Sequence, residues 1–426
     1  MTTPAMWICD EHTPSGRVLL LSRNHAIGID HGFRTKRPEI MPGIQFNNMM
    51  AWLHMNSSGW SSFRLDSRKS VQSVVSAGLF RQQRRGAQRR GVWWMIFVTL
   101  LGATFAHAER IEISWPTPNR AWDQGRGIEA WAQPTVSGDP ESGLFGCVRS
   151  NGTHFHEGLD IRPVTHDSHG EPADKITAAM DGAVRFVNSR AGDSNYGRYI
   201  VIEHPGVSPD VYTLYAHLAK IAPGIGPGVS VKRGQEIGTM GHSAGGGGIP
   251  RDRAHMHFEI GLMVTENFPA WYGWKKFGSA NEHGLWNGMN LMGFDPLDFL
   301  RQWHARKVDN FQQYLDQMHT VVRVRVATSR VPDFITRYPA LLRKPMPAGL
   351  VAGWEIDCNA TGLPFAWTPL SPMDVAGMRA NSAQVVAVDS AVVRAYRCKS
   401  LVHARGMGNT PGSDLEMMLQ QVFGLR

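Results

Sequence analysis

From about Gly143 to Met263 short β-prone runs alternate with glycine-containing turns: ITAAM, DGAVRFV, GRYIVIEH, DVYTLYAHL, GVSVKRGQEIGTMG and AHMHFEIGLM. Turn signals recur about every 8–15 residues with no helical stretch between them, which predicts an antiparallel, mainly β domain. Side chains alternate across a strand. In DVYTLYAHL this groups Thr213, Tyr215 and His217 and sends Leu214 and Ala216 to the core. In AHMHFEIGLM it puts His255, His257 and Glu259 on one polar face, opposite Met256, Phe258 and Ile260. Residues 264–294, rich in aromatics and glycine, read as an irregular loop that closes a β domain spanning 143–294. At Asp295-Pro296 the period changes, with an N-cap followed by proline at the first helical position. Leu297, Leu300, Val308, Phe311, Leu315 and Met318 then predict one helix face with one wider gap. TVVRVRVATS alternates like a strand, and VVAVDSAVVRAYRC is a second β candidate. Ser413 and Glu416 read as a capping box ahead of Leu415, Leu419, Val422 and Phe423. Residues 295–426 are thus expected to form an α+β C-terminal extension, and 109–142, with weak periodicity, an extended lead-in.

The front of the chain carries an address. Arg81, Arg84, Arg85, Arg89 and Arg90 precede an uncharged apolar run, Val92 to Ala106, which ends at Ala106-His107-Ala108. A positive n-region, an apolar h-region and a small-x-small site in that order mark a secretory signal peptide over 81–108. The run has 15 residues, short of the roughly 20 that span a bilayer as a helix; an uncleaved anchor is the alternative, and the membrane is a partner only in that case. Residues 1–80 show no sustained period and read as an upstream leader, disordered or set by a misplaced start. The expected location is outside the cytoplasm, in the periplasm, the cell envelope or the extracellular space.

Charge and cysteine use agree with this. Residues 1–108 hold 13 Lys and Arg against 5 Asp and Glu, so the net charge of +8 lies wholly ahead of residue 109 and the remainder balances at 31 of each sign. A neutral globular part has no field to gather phosphates, and no nucleic-acid partner is expected. Cys147, Cys358 and Cys398 lie after the leader. Their spacings are not those of a cysteine zinc site. In an oxidising compartment the two cysteines of the extension, Cys358 and Cys398, are expected to pair, leaving Cys147 free.

The candidate chemistry lies in three strings. HEGLD sets His156 and Asp160 four apart across Gly158, at a bent loop or strand end. YAHL carries His217. HMHFEI carries His255 and His257 one strand repeat apart, close enough for one metal ion or for a ligand beside a base. Singly, each is more simply read otherwise: HEGLD as a surface histidine with an N-capping Asp, His217 as a structural histidine, and H-x-H as a solvated strand face. Their combination in that order, over about 100 residues of β pattern, resembles the LytM/lysostaphin-type zinc endopeptidases. ITAAMDGAVRFV, Tyr196-Gly197 before YIVIEHPG, and VSVKRGQEIGTMGHS match as well, and the resemblance covers about 143–263. It implies a lysostaphin-like (duplicated hybrid motif) β fold and a Zn2+ site made by His156, Asp160 and His257, with His217 and His255 as catalytic residues beside the metal. It also implies a substrate, the peptide cross-links of bacterial cell-wall peptidoglycan. Three protein ligands leave the fourth zinc position for water, whose pKa the metal lowers to about 7. The family's usual turn before H-x-H is short, whereas here HSAGGGGIPRDRA is long and glycine-rich; it should border the groove and shape specificity. Of another class is a metal-free or catalytically weak member of the fold that binds wall or activates an amidase. Retention of all five residues argues against it.

The signal-peptide reading makes a direct prediction. The exported protein should begin near Glu109, as read by N-terminal sequencing; a start well upstream would reject cleavage there and favour an anchor.

Overall fold

A computed structural model of the chain describes residues 110–425 apart from Met407. The leader and the signal segment lie outside the described residues. Residues 110–142 follow an irregular path with short 3-10 turns at Ile128–Ala130 and Pro140–Gly143. Their aromatics are structural: Trp115 and Trp131 are buried and meet edge to face with ring centroids 5.8 Å apart.

Then come β1 (Gly146–Arg149), β2 (His154–His156), β3 (Leu159–Ile161), β4 (Lys175–Thr177), β5 (Gly182–Asn188), β6 (Tyr199–His204) and β7 (Val211–Ala216). They are followed by β8 (Leu218–Ile221), β9 (Ser230–Val231), β10 (Glu236–Met240), β11 (Met256–Met263), α1 (Phe268–Lys275) and β12 (Leu291–Phe294). The main antiparallel sheet runs β12-β11-β7-β6-β5-β9. β3 and β12 share the outer edge of β11, pairing with its first and last halves. β4, β10 and β8 form a smaller sheet, and β1 with β2 a two-stranded hairpin. The fold is mainly β and antiparallel, with an α+β C-terminal extension, as the turn spacing predicts.

Both faces of the main sheet are covered. Ile200, Ile202, Tyr215, Phe258 and Ile260 enter the large core. Tyr199, Val201, Tyr212, Leu214 and Ala216 form a second cluster with Met263 and Trp286 on the opposite face. All eight positions of β11 are buried, so the face that carries His255, His257 and Glu259 is not a solvated one. The cover comes from residues 264–294, which are not an irregular loop: they hold α1 and β12, and Trp286 packs against Tyr212. β12 is a strand because β11 lends it an edge, a tertiary cause invisible in its own composition.

The extension holds α2 (Pro296–His304), α3 (Phe311–Asp316), β13 (Val322–Val326), α4 (Asp333–Arg337), β14 (Gly353–Cys358), β15 (Pro364–Leu370) and β16 (Ala383–Val388). α5 (Ser390–Ala395), β17 (Val402–Arg405), β18 (Gly408–Pro411) and α6 (Ser413–Phe423) complete it. Its sheet runs β15-β14-β13-β16. Phe299, Phe311, Trp354 and Trp367 belong to the same apolar core as Phe258 and Ile260. The single helix expected from 297 to 318 is two. Arg306 adopts a left-handed backbone with φ 54°, and Asn310 opens α3 by accepting the Gln313 N–H. The second β candidate is a strand only to Val388, where the Asp389 carboxylate caps α5. No capping box forms at α6: Gly412 is the N-cap, and the Asp414 carboxylate accepts the Ser400 N–H instead.

The disulfide expectation is also corrected. Cys147 pairs with Cys398, 251 residues away, and among the described residues Cys358 is the free cysteine, buried. Cys358 ends β14, opposite Val322 of β13, and lies in the core. Membership of the extension was no guide to distance, because docking against the β domain brings Cys398 to the β1–β2 hairpin.

One buried imidazole couples the fold to pH. His204 donates from Nδ1 to the Asp181 carbonyl at 2.8 Å, and its Nε2 faces the Thr213 hydroxyl at 2.7 Å. Burial pushes it from 6.5 down to about 4. The unfolded chain takes up a proton that the folded chain refuses, so this contribution is present above pH 6.5 and is lost as pH falls towards 4. It amounts to about 3 kcal/mol. In His204→Gln the fall in stability over that window should be shallower by about this amount, measured by urea denaturation at stepped pH. Parallel profiles for the two proteins would refute it.

Candidate active site

Strand pairing assembles the site. Asp160 on β3 lies opposite His257 on β11, which in turn lies opposite Ala216 at the end of β7. His156 ends β2, and Gly158 turns the chain between it and Asp160. A Cβ on Gly158 would stand 2.3 Å from the Phe258 carbonyl oxygen, so only glycine lets HEGLD pass this close to β11.

His156 Nε2, Asp160 Oδ1 and His257 Nδ1 form a triangle with sides of 3.1, 3.0 and 3.0 Å, and all three residues are buried. Each far side is anchored. His156 donates from Nδ1 to the Leu144 carbonyl at 2.6 Å, which aims the Nε2 lone pair into the triangle. His257 donates from Nε2 to Glu259 Oε1 at 3.0 Å, leaving Nδ1 inward. Glu259 is oriented by the hydroxyls of Tyr196 at 2.6 Å and Tyr212 at 2.9 Å. Asp160 Oδ2 accepts from Arg149 Nη2 at 2.5 Å.

Burial and neighbouring charge set the protonation of these groups. Burial, then the Arg149 charge, lowers His156, so its imidazole is neutral at ordinary pH. Burial would raise Asp160, but His156, His255 and Arg149 outweigh it and hold the carboxyl well below its usual range. Burial opposes charge on His257 too, yet hydrogen bonds to Asp160 and Glu259 raise it to about 10.

This donor set fits zinc. Tetrahedral ligands about 2.0–2.1 Å from a common ion stand about 3.3 Å apart, and these atoms need to spread by only a few tenths of an ångström. They are two imidazole nitrogens and a carboxylate oxygen, the types that zinc takes, and each is held from behind as metal ligands usually are. Together they are the one group suited to a metal ion among the described residues.

His217 and His255 stand beside the triangle, with ring centroids 4.7 Å apart. His255 donates from Nδ1 to the Arg253 carbonyl, and its buried Nε2, 3.5 Å from Asp160 Oδ1, has no hydrogen-bond partner. His217 does not share a face with Thr213 and Tyr215, as strand alternation predicts. β7 ends at Ala216, and His217 has φ 59°, a left-handed conformation that returns its ring to the His257 side. The turn is held by a bond from His217 Nδ1 to the Ser243 carbonyl at 2.9 Å.

A cavity of about 840 Å³ adjoins the site, lined in part by His156, Tyr196, His217 and His257. Ala244–Gly246 and Ile249 of the long glycine-rich turn border it, and so do Met417 and Met418 of α6. His154 lines it too, whereas His242 is bound to Glu171 at 3.0 Å. Sequence reasoning missed the roles of Arg149, Tyr196 and Tyr212 and the anchoring task of Glu259. Only Glu259 left a signal, one strand repeat beyond His257.

Residues 154–267 match the model of a family described as Peptidase family M23. No curated protein matches the chain. Among solved structures, a point variant of the catalytic domain of the prophage-encoded M23 protein EnpA from Enterococcus faecalis is similar at 24% identity, over 28% of this chain and 75% of that one, with TM-score 0.21. Csd3 of Helicobacter pylori is similar at 28% identity, over 25% of this chain and 23% of that one, with TM-score 0.19. The catalytic domain of the antimicrobial peptidase lysostaphin from Staphylococcus simulans is similar at 19% identity, over 37% and 87% of the two chains, with TM-score 0.23. The chain therefore spans three quarters of the EnpA domain but less than a quarter of Csd3.

The close approach at Gly158 can be tested without any assay of function. Gly158→Ala should destabilise the fold by about 1–3 kcal/mol, the usual cost of overpacking, read from urea denaturation. An unchanged midpoint would show that β11 yields freely to the added methyl.

Proposed function

We propose, for a chain whose residues 154–267 match the model of peptidase family M23, the activity of an exported zinc metalloendopeptidase that hydrolyses peptide cross-links of bacterial peptidoglycan. One observation carries the reading: three buried donors of zinc-ligand type meet within 3.1 Å beside a cavity that His156, His217 and His257 also line. The substrate is supported by the motif resemblance, and export by the arginine-led apolar segment ahead of Glu109.

In this reading His156, Asp160 and His257 hold the metal. Zinc held by three protein ligands supplies a nucleophile at neutral pH and polarises a carbonyl. His217 and His255 move the protons. The Ser243 carbonyl fixes the His217 tautomer, so its Nε2 lone pair is available to take a proton from attacking water. The Arg253 carbonyl holds the His255 Nδ1–H in the same way, and Nε2 lies 3.5 Å from Asp160 Oδ1; in the doubly protonated form its Nε2–H would steady an oxyanion or pass that proton to the leaving amine. The Gly-rich turn and α6 border the groove and bear on which peptides enter.

Alanine at His156, Asp160 or His257 should remove zinc and wall hydrolysis together. Alanine at His217 or His255 should leave zinc bound while the rate falls by about 10²–10⁴-fold. Metal content of each purified variant, measured beside clearing of a wall suspension, separates the two groups. Loss of zinc from His255→Ala as complete as from His257→Ala would overturn the division of roles. Zinc without wall clearing in the unaltered protein would point to protein substrates, and absence of both to a wall-binding member of the fold.

A further inference from the structure

Arg149 reaches the site from β1, and its guanidinium takes Oδ2 of Asp160, while Oδ1 is the oxygen that meets His156 and His257. Its Nε–H donates to the Ser142 carbonyl at 3.2 Å, which fixes the fork from the other side. The Arg149 and Asp160 side chains are 11% and 2% exposed. A charge pair this far from water is strongly destabilised by loss of one member.

The strand that delivers Arg149 is lightly built. β1 has four residues and pairs with β2 in a two-stranded sheet. Three consecutive residues of the extension grip this hairpin. Arg397 Nη2 donates to the Asn151 carbonyl at 3.0 Å, Cys398 is bonded to Cys147, and Lys399 Nζ sits 3.8 Å from the centre of the Phe155 ring. Cys147 is two residues from Arg149, and Phe155 adjoins His156. The grip therefore falls on the segment that carries both the first nitrogen donor and the partner of the carboxylate donor.

We propose that Arg149 is a positioning residue that presents Asp160 to the metal through one oxygen, and that the Cys147–Cys398 disulfide sets the metal affinity by fixing the hairpin. The proposal rests on reading His156, Asp160 and His257 as the ligands. It makes the site tight under oxidising conditions. The site loosens where a thiol or phosphine reductant supplies the two electrons, joined by two protons, that convert the disulfide to two thiols.

The test is the zinc dissociation constant of the full chain, obtained by competition with a chromogenic chelator. The variants are Arg149→Met, Arg149→Lys and the double variant Cys147→Ser/Cys398→Ser, the last avoiding free thiols that would bind zinc themselves. Cobalt(II) absorption spectra are recorded beside it, because they read ligand geometry apart from stability. Losing the partner of a metal ligand weakens metal binding by about 10–100-fold. Arg149→Met should show that loss with an altered cobalt spectrum, and Arg149→Lys, which keeps the charge without the fork, a smaller one of about tenfold. The cysteine pair variant should lose affinity while Cys358→Ala does not. If Arg149→Met does not fold, Arg149→Lys decides. Wild-type affinity and spectrum in the Arg149 variants would overturn the positioning role, and wild-type affinity without the disulfide would overturn the redox dependence. No zinc binding by the unaltered protein would overturn the ligand reading and this proposal with it.

Discussion

The site is organised around one buried carboxylate. Asp160 is 1% exposed, and an ionised group there survives only if both oxygens are matched. Oδ1 accepts from His257 Nδ1 at 3.0 Å and Oδ2 from Arg149, while the His156 Nε2 lone pair faces Oδ1 across the space a cation would fill. Each of these demands comes from a different part of the chain. β11 supplies His257 in register, the β1–β2 hairpin supplies His156 and Arg149, and Gly158 keeps the connection between them against β11. Neighbouring charge holds Asp160 ionised despite its burial, which makes it a strong pole for a cation.

The same constraint gives the C-terminal extension a place in the site. Its sheet and helices complete the core that the β domain begins. From that base residues 397–399 brace the hairpin, and Met417 and Met418 of α6 border the cavity. The described extension is thus continuous with the β domain physically. Its own residues help to shape the groove at the candidate metal centre.

How much was legible beforehand depended on whether a feature was local. His156, Asp160, His217, His255 and His257 stand in three short strings whose order along the chain marks them, and they do come together. His217 shows the limit of that reasoning: alternation assigns it to the face of Tyr215, and a single left-handed residue reverses it. Arg149 could not be read, because its partner lies eleven residues on, across a hairpin turn. The Leu144, Ser243 and Arg253 carbonyls that orient the imidazoles carry no residue-type mark at all. The Cys147–Cys398 bond depends on docking across 251 residues. The turn spacing was sufficient for an antiparallel β domain, but β12 exists only because an edge of β11 is available.

On the proposed function, two imidazoles and one carboxylate make a three-ligand zinc site, with His217 and His255 beside it and not in it. Zinc K-edge X-ray absorption of the metal-loaded protein counts those ligands directly. The shell should hold two imidazole nitrogens with only oxygen donors completing it, and no sulfur. A spectrum requiring three or more imidazoles, or a sulfur ligand, would contradict it.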